Sequence, residues 1–598
     1  MATIPLGQYI WARIHQCGIN HVFGVPGDFN LTLLDHIEQV SGLHWVGNTN
    51  ELNAAYAADG YARARDGAGC IITTYGVGEL SALNGISGSM AEHVKVVHVV
   101  GQTAMSLQNG NKMIHHSIGS TPDHSVFARA SREFCCAAAE LRSSKGATEE
   151  VDRVLREMFI HSKPVYIFVP TDLVDAPVPK DALSRPLDLS SPQDEGQVEK
   201  AAAAILDKLY ASKNPAIFID CLTRRYNAAE EMKQLVDVLS LPFYTSPMAK
   251  SVIDETHPQY VGIHNGWPSS PGIPAAFDST DAVLLVGDLP ADTNTGLFTR
   301  SIPASKALTV DPCCVRLPDG QSFEKVPMKA VLKKMIQTVL KARLPTVPKP
   351  DVPPIPVRAD QSSKITQVYL WPAMSAFLRE GDTVFGETGT TCFGLADISF
   401  PPNTSYFAQT YYSCIGFATP AAFGAEVGLS DSARPTRPKG SRTILITGDG
   451  SLMLTVQEVG NMIKQSQLQP GIRPVIFILN NEGYTIERII HGAQMKYNDI
   501  VPFNYKHLLP FFNMDESAAK QAFHRAETRD ELDAILKLDS VCNPSTVQVV
   551  EIILDKLDVP WRLGMQIAAR GEWALKEMVD EGFKLPDHVR NIFKTNKN

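Results

Sequence analysis

Short, uninterrupted apolar runs separated by helix-length amphipathic stretches are the feature that most constrains this chain. A strand that is apolar on both faces must be covered on both, which is the condition of a parallel sheet between two layers of helices. In the first third the runs are 22–25, 70–74, 96–101 and 165–170. In the middle they are 216–220, 243–246, 282–287 and 307–311, and in the last part 383–386, 443–448, 475–480 and 546–552. Each group supplies about the number of strands that one α/β domain uses. Residues 182–196 are polar and carry proline, and residues 344–357 hold prolines at a density that no helix or central strand tolerates. The 598 residues are therefore expected to form three α/β domains, each a doubly wound parallel sheet, over 1–183, 197–343 and 360–562. The remainder, 563–598, reads as a charged amphipathic helical tail, too short for a core of its own.

Composition excludes several classes. A net charge of −9 with scattered Lys and Arg argues against a nucleic-acid surface, which needs concentrated cations to displace counterions. No apolar stretch reaches the roughly 18 to 20 residues of a membrane helix, and the first ten residues lack the pattern of a signal peptide. Ten cysteines show no CxxC spacing. The adjacent pairs Cys135-Cys136 and Cys313-Cys314 would point opposite ways on strands, which is poor ligand geometry. A reduced, cytoplasmic protein is expected.

The strongest chemical signal lies in the last group. The run 443–447 leads into Gly448-Asp449-Gly450-Ser451 and a helical stretch over 455–464; the next run ends at Asn480-Asn481-Glu482-Gly483. An Asp and an Asn at the carboxyl ends of two strands lie where open α/β sheets bind ligands. Glycines admit close backbone approach to a phosphate. Carboxylate, amide and backbone oxygens without Cys or His nearby suit a hard cation such as Mg²⁺. A second signal is Glu51, opening a small-residue helix in Asn50-Glu51-Leu52-Asn53-Ala54-Ala55-Tyr56-Ala57-Ala58-Asp59-Gly60-Tyr61-Ala62-Arg63. A third is the pair His115-His116, followed by Ser117-Ile118-Gly119. Taken alone, Glu51 is a residue complementing a helix dipole and a lone histidine is a structural one. Asp28 would be an Asx turn after a strand, and Glu487 a solvent-facing helix residue.

Together these segments resemble the thiamine-diphosphate-dependent 2-oxo-acid decarboxylases, in order and over nearly the whole chain. The resemblance implies the three-domain thiamine-enzyme fold and the cofactors thiamine diphosphate and Mg²⁺. The reaction it implies is the non-oxidative decarboxylation of pyruvate to acetaldehyde and carbon dioxide, through a thiazolium ylide and an enamine. By that likeness Asp449, Asn481 and the carbonyl of Gly483 hold Mg²⁺ against the diphosphate, with Gly450 and Ser451 beside it. The connection from Gly450 to Asn480 is several residues longer than usual, a surplus placed in the turn-rich Ser466-Gln467-Leu468-Gln469-Pro470-Gly471. Glu51 would hydrogen-bond the aminopyrimidine and favour the imino tautomer that generates the carbon nucleophile.

The same likeness makes Asp28, His115, His116 and Glu487 the acid–base set. Thr390, in Thr388-Gly389-Thr390, and the segment Ser413-Cys414-Ile415 would grip the pyrimidine, Ile415 bending the cofactor and the Ser413 carbonyl accepting from its amino group, while Thr73 fits the first domain's strand-end loop as a further cofactor-binding residue. Cys221 falls where some members carry a cysteine implicated in substrate activation. Obligate homodimers with active sites between subunits, paired into a tetramer, are implied as well. Indolepyruvate or phenylpyruvate is the rival substrate, because Thr293 occupies a position where some pyruvate-specific members carry an aromatic. A non-catalytic assembly protein should have lost the acid–base groups that are intact here.

Overall fold

The computed structural model describes residues 2–353, 361–430, 440–468 and 471–595. Residues 354–357 of the proline-rich break, and Gln469 and Pro470 of the turn-rich connection, lie outside the described residues.

The first six-stranded sheet comprises β1 (His21–Gly24), β2 (His44–Trp45), β3 (Gly69–Thr74), β4 (Val96–Gln102), β5 (Ala137–Glu140) and β6 (Val165–Pro170). Its spatial order is β2-β1-β3-β4-β6-β5, with every pairing parallel. The second sheet has seven strands: β7 (Pro215–Ile219), β8 (Phe243–Thr245), β9 (Tyr260–Ile263), β10 (Ala282–Val286), β11 (Ala307–Val310), β12 (Cys314–Arg316) and β13 (Ser322–Glu324). Its order is β9-β8-β7-β10-β11-β12-β13. The last two strands pair antiparallel, so this sheet departs from the all-parallel expectation at one edge. Each of the two is three residues long and only partly buried, and neither bears an apolar run to announce it.

The third sheet comprises β14 (Thr383–Gly386), β15 (Ser405–Phe407), β16 (Thr443–Gly448), β17 (Val475–Asn480), β18 (Phe523–Ala526) and β19 (Gln548–Ile553). Its order is β15-β14-β16-β17-β19-β18, again wholly parallel. The first and third sheets thus share one strand order. In both, the chain leaves the first strand to one side and returns on the other. The switch points fall between β1 and β3 and between β14 and β16, and a switch point is where such sheets bind ligands.

The chain divides into two compact units. One holds the chain up to Ser191 together with the segments that begin at Phe417 and at Thr455; the other holds the rest. In the first unit, α1 (Glu51–Ala64) starts at Asn50, whose side-chain oxygen accepts from the backbone N–H of Leu52 at 2.8 Å and of Asn53 at 3.3 Å. That cap satisfies donors the first turn leaves orphaned and sets Glu51 at the helix entrance. Beyond it α1 is rich in Ala and Gly, and it packs directly on α5 (Ala418–Leu429); α2 (Val77–Ala91), α3 (Gln367–Phe377) and α4 (Thr390–Leu395) precede α5 in the chain. A Cβ at Gly60 would fall 2.0 Å from the Ala421 carbonyl oxygen, and one at Gly424 would fall 1.8 Å from that of Ala57. Buried Arg63 ties α1 down by pairing with Asp59 and with Glu92.

In the second unit α6 (Asp449–Leu454) begins at the aspartate itself, ahead of the helix expected over 455–464, which forms as α7 (Gln457–Leu468) within the first unit. Then come α8 (Thr485–Ile490) and, after β19, α9 (Trp561–Ala568). The tail packs through Leu563, Ile567, Leu575, Met578 and Leu585 against Ile489 and Ala493. All ten cysteines are unbridged. No helix among the described residues is long and apolar enough to cross a membrane.

Backbone meets backbone at the α1–α5 crossing, so an added methyl has no flexible neighbour to displace. Gly424→Ala is expected to destabilise the protein by about 1–3 kcal/mol, seen as a lower thermal midpoint. An unchanged midpoint would contradict the packing described.

Candidate active site

The third sheet presents, at the ends of two strands, side-chain oxygens that the protein satisfies only in part. Asp449 follows β16 directly, as the first residue of α6, and is 2% exposed. One of its carboxylate oxygens accepts from the Gly450 N–H at 2.8 Å and the other from the Gly483 N–H at 3.1 Å. Burial nevertheless pushes the carboxyl up to about 6, against the lowering by those backbone donors. Asn481, 5% exposed, buries a side-chain oxygen that has no hydrogen-bond partner among the described residues. Such an orphan is rare unless a ligand completes it.

The loop between β17 and α8 is held in an unusual shape. Glu482 has φ 60° and Gly483 φ 135°, and a Cβ on Gly483 would lie 2.2 Å from the Asn498 carbonyl oxygen, so glycine is required there. Arg488, 1% exposed, donates to the carbonyls of Glu482 (3.2 Å), Ala493 (2.9 Å) and Asn498 (3.2 Å) and pairs with Asp499. The Tyr505 hydroxyl donates to the Asp449 carbonyl at 3.0 Å. A buried carboxylate, a free amide oxygen and a fixed loop match the donor set of a hard divalent cation bound alongside phosphate.

A cavity of about 460 Å³ opens on these groups, a size usual for small-molecule sites. Thr388 and Thr390, beyond the end of β14, line it, as do Ser413 and Ile415. Ser413 adopts φ 58°, and its hydroxyl donates to the Thr410 carbonyl at 2.6 Å. The same Thr410 carbonyl accepts from Thr293 Oγ1 at 2.9 Å, and Thr293 is itself part of the wall. Gly450, Ser451 and Glu487 complete the cavity's polar side, and burial holds the Glu487 carboxyl above the usual range.

The remaining wall comes from the tail. Leu563, Gln566, Ile567 and Arg570 line the cavity from α9 and the residues just after it. Arg562 anchors that helix by pairing with Asp397 and donating to the Pro268 carbonyl. Sequence reasoning missed Gln566 and Arg570 as site residues. Their spacing of i, i+3, i+4 and i+7 is a helix face, and it was the available signal.

The first unit assembles the other residues at its own switch point. Asp28 lies in the turn after β1, and its carboxylate is 2.6 Å from His115 Nε2. The rings of His115 and His116 are 4.7 Å apart, Phe29 stacks on His115 at 4.9 Å, and the Tyr75 hydroxyl donates to the His115 carbonyl at 2.9 Å. His116 holds φ 67°. Glu51 sits where α1, α2 and the end of β3 converge: a Cβ on Gly78 would lie 3.1 Å from Glu51 Oε1 and 3.3 Å from Thr73 Cβ. Thr73 is buried, its hydroxyl 2.9 Å from His98 Nε2, and burial depresses that imidazole to about 3, leaving it neutral. Asp28, His115 and His116 therefore form one cluster and Glu51 with Thr73 another. Glu487, Asp449, Asn481, Gly483, Thr390, Ser413, Ile415, Gly450 and Ser451 share the cavity of the second unit. Cys221 is buried, at the entrance to the helix Leu222–Arg225.

A carboxyl whose folded pKa is raised destabilises the fold once it ionises, and that cost recedes as pH falls through the folded value. In cation-free protein at pH 7.5, Asp449→Asn is expected to raise stability by roughly 2–3 kcal/mol. The gain should shrink as pH is lowered from 7.5 to 5, while divalent-cation affinity is lost. Thermal melts in a chelator across that range check both; a gain that stays constant with pH would contradict the assignment.

Known proteins match this chain along its length. A thiamine pyrophosphate enzyme N-terminal TPP binding domain matches residues 4–125, the central domain of such enzymes 202–339, and their C-terminal TPP binding domain 387–549. The chain is 41% identical to pyruvate decarboxylase isozyme 1 of Saccharomyces cerevisiae, over 94% of this chain and 98% of that protein. It is 40% identical to the pyruvate decarboxylase of Kluyveromyces lactis and 38% to that of Candida albicans, each over 95% of this chain and 98% of the relative. With strand-end oxygens, paired histidines and full-length similarity in agreement, the chain belongs to the pyruvate decarboxylase family of thiamine pyrophosphate enzymes.

Proposed function

We propose that this protein decarboxylates pyruvate to acetaldehyde and carbon dioxide, with thiamine diphosphate and Mg²⁺ as cofactors. The observation that carries the reading is the incomplete oxygen set. Asp449 is ionisable yet buried, and Asn481 Oδ1 lacks a partner, as expected of groups that await a cation. Asp449, Asn481 and the Gly483 carbonyl would hold Mg²⁺, with Gly450 and Ser451 beside the diphosphate. When bound, thiamine diphosphate supplies a carbon nucleophile for the keto group and a cationic ring that accepts the electrons released with carbon dioxide.

The chain's own residues do the rest. Glu51 would hold a proton for the pyrimidine and the Ser413 carbonyl would accept from its amino group, with Ile415, Thr73 and Thr390 as further residues that would hold the cofactor. Asp28, His115, His116 and Glu487 move the proton that completes the aldehyde. Imidazole suits this role because it exchanges a proton near neutrality, and the 2.6 Å contact couples His115 to Asp28. The apolar portion of the wall, including Phe393, Ile486 and Leu563, excludes water from a step in which charge is lost. Glu51, Asp28 and the histidines of one subunit would meet Asp449, Asn481 and Glu487 of another. The working species is accordingly a homodimer, paired into a tetramer, in the cytoplasm.

Thr293 favours a second reading. As a small side chain in the cavity wall, it leaves room for an aromatic 2-oxo acid. Carbon dioxide release with added thiamine diphosphate and Mg²⁺ decides between them: kcat/KM is expected to be highest for pyruvate, and a higher value for phenylpyruvate or indolepyruvate would favour the alternative. Glu51→Gln is expected to lower turnover by at least about 100-fold with unchanged circular dichroism and assembly. Near-wild-type turnover would overturn the role given to Glu51.

A further inference from the structure

A second cavity, of about 520 Å³, lies in the second unit between α3, the residues after α4, and the start of α9. It shares no lining residue with the first cavity. Its walls are largely apolar: Trp371, Pro372, Val559, Pro560, Trp561 and Pro586. Gln367, Ser375, Asp397, Ser399, Lys584 and His588 interrupt them. Gln367, 2% exposed, accepts the Trp371 indole N–H at 2.7 Å through Oε1, which leaves its amide nitrogen with no partner among the described residues. His588 Nε2 is likewise unpartnered, and its ring meets Trp561 edge-on at 5.0 Å.

The charged groups at this cavity are already neutralised. Asp397 pairs with Arg562, and Lys584 pairs with Asp555 at 2.6 Å. Burial also lowers the proton affinity of the His588 imidazole. A buried amide N–H without an acceptor is costly, and an acceptor carried by a molecule in the cavity would satisfy it. The volume suits a small organic molecule. Flat indole and proline surfaces favour an aromatic ring, the neutral surroundings favour an uncharged one, and the amide nitrogen calls for an acceptor.

We propose that this cavity is a binding site for a small, uncharged aromatic molecule bearing a carbonyl oxygen, its ring against Trp371 and Trp561 and its oxygen accepting from Gln367 Nε2. Isothermal titration of the holoenzyme with acetophenone and with ethylbenzene, which has nearly the same shape but no acceptor, tests it. Acetophenone is expected to bind about five- to tenfold more tightly, the effect of one hydrogen bond. Gln367→Met should erase that preference. Ala376→Trp, at the exposed rim of the cavity, should abolish binding of both compounds while decarboxylation proceeds at the wild-type rate. Equal affinities in the wild-type protein, a preference that survives Gln367→Met, or binding that survives Ala376→Trp would each overturn the proposal.

Discussion

The burial of the Asp449 carboxylate at the end of β16 is the interaction on which the rest of the site depends. An ionised carboxylate taken out of water is expensive unless hydrogen bonds or a cation compensate it. Here two backbone N–H groups, from Gly450 and Gly483, supply part of that compensation. They do so only because the loop after β17 is bent back toward β16, with Gly483 in a conformation open to glycine and Arg488 tying its carbonyls to residues 493–499. The same bend leaves Asn481 Oδ1 facing no protein donor. Stability has been given up locally to create an oxygen cage, a familiar signature of sites whose ligand completes the structure.

The scaffold explains why the cage can be rigid. Three adjacent parallel strands, β14, β16 and β17, deliver Thr388 and Thr390, Asp449, and Asn481 to one edge of one sheet. The first sheet repeats the same strand order and delivers Asp28 after β1 and Thr73 at the end of β3. Glu51 joins them through the capped entrance of α1, whose small residues let it lie against α5 with backbone in contact. One sheet thus gathers oxygens at its strand ends, and the other a carboxyl and imidazoles, the division that the proposed function calls for.

Much of this was legible in the sequence, for identifiable reasons. The strands at 383–386, 443–448 and 475–480 form over the residues expected, because each is a central strand buried on both faces, and its apolar run ends where the sheet ends. The helix expected to open at Glu51 does so, and Asn50 caps it. The edge strands His44–Trp45, Ala137–Glu140 and Ser405–Phe407 escaped notice because they are short and partly exposed. The antiparallel pair Cys314–Arg316 and Ser322–Glu324 escaped for the same reason. α6 starts at Asp449 because the loop's donors let the carboxylate enter the first turn, an effect of residues more than 30 positions away. The clamp by Arg488 depends on how distant segments pack, which a linear pattern does not reveal; the spacing of Gln566 and Arg570 marks one helix face but not what that face lines.

The central claim is that two strand-end loops and a capped glutamate are arranged for the two ends of one cofactor. Crystals grown with thiamine diphosphate and Mn²⁺, measured at the manganese absorption edge, test it most directly. The account predicts one anomalous peak bonded to the Asp449 carboxylate, Asn481 Oδ1 and the Gly483 carbonyl, with a Glu51 carboxyl within hydrogen-bond distance of the aminopyrimidine. A peak elsewhere, or a pyrimidine that no Glu51 reaches from any subunit, would contradict it.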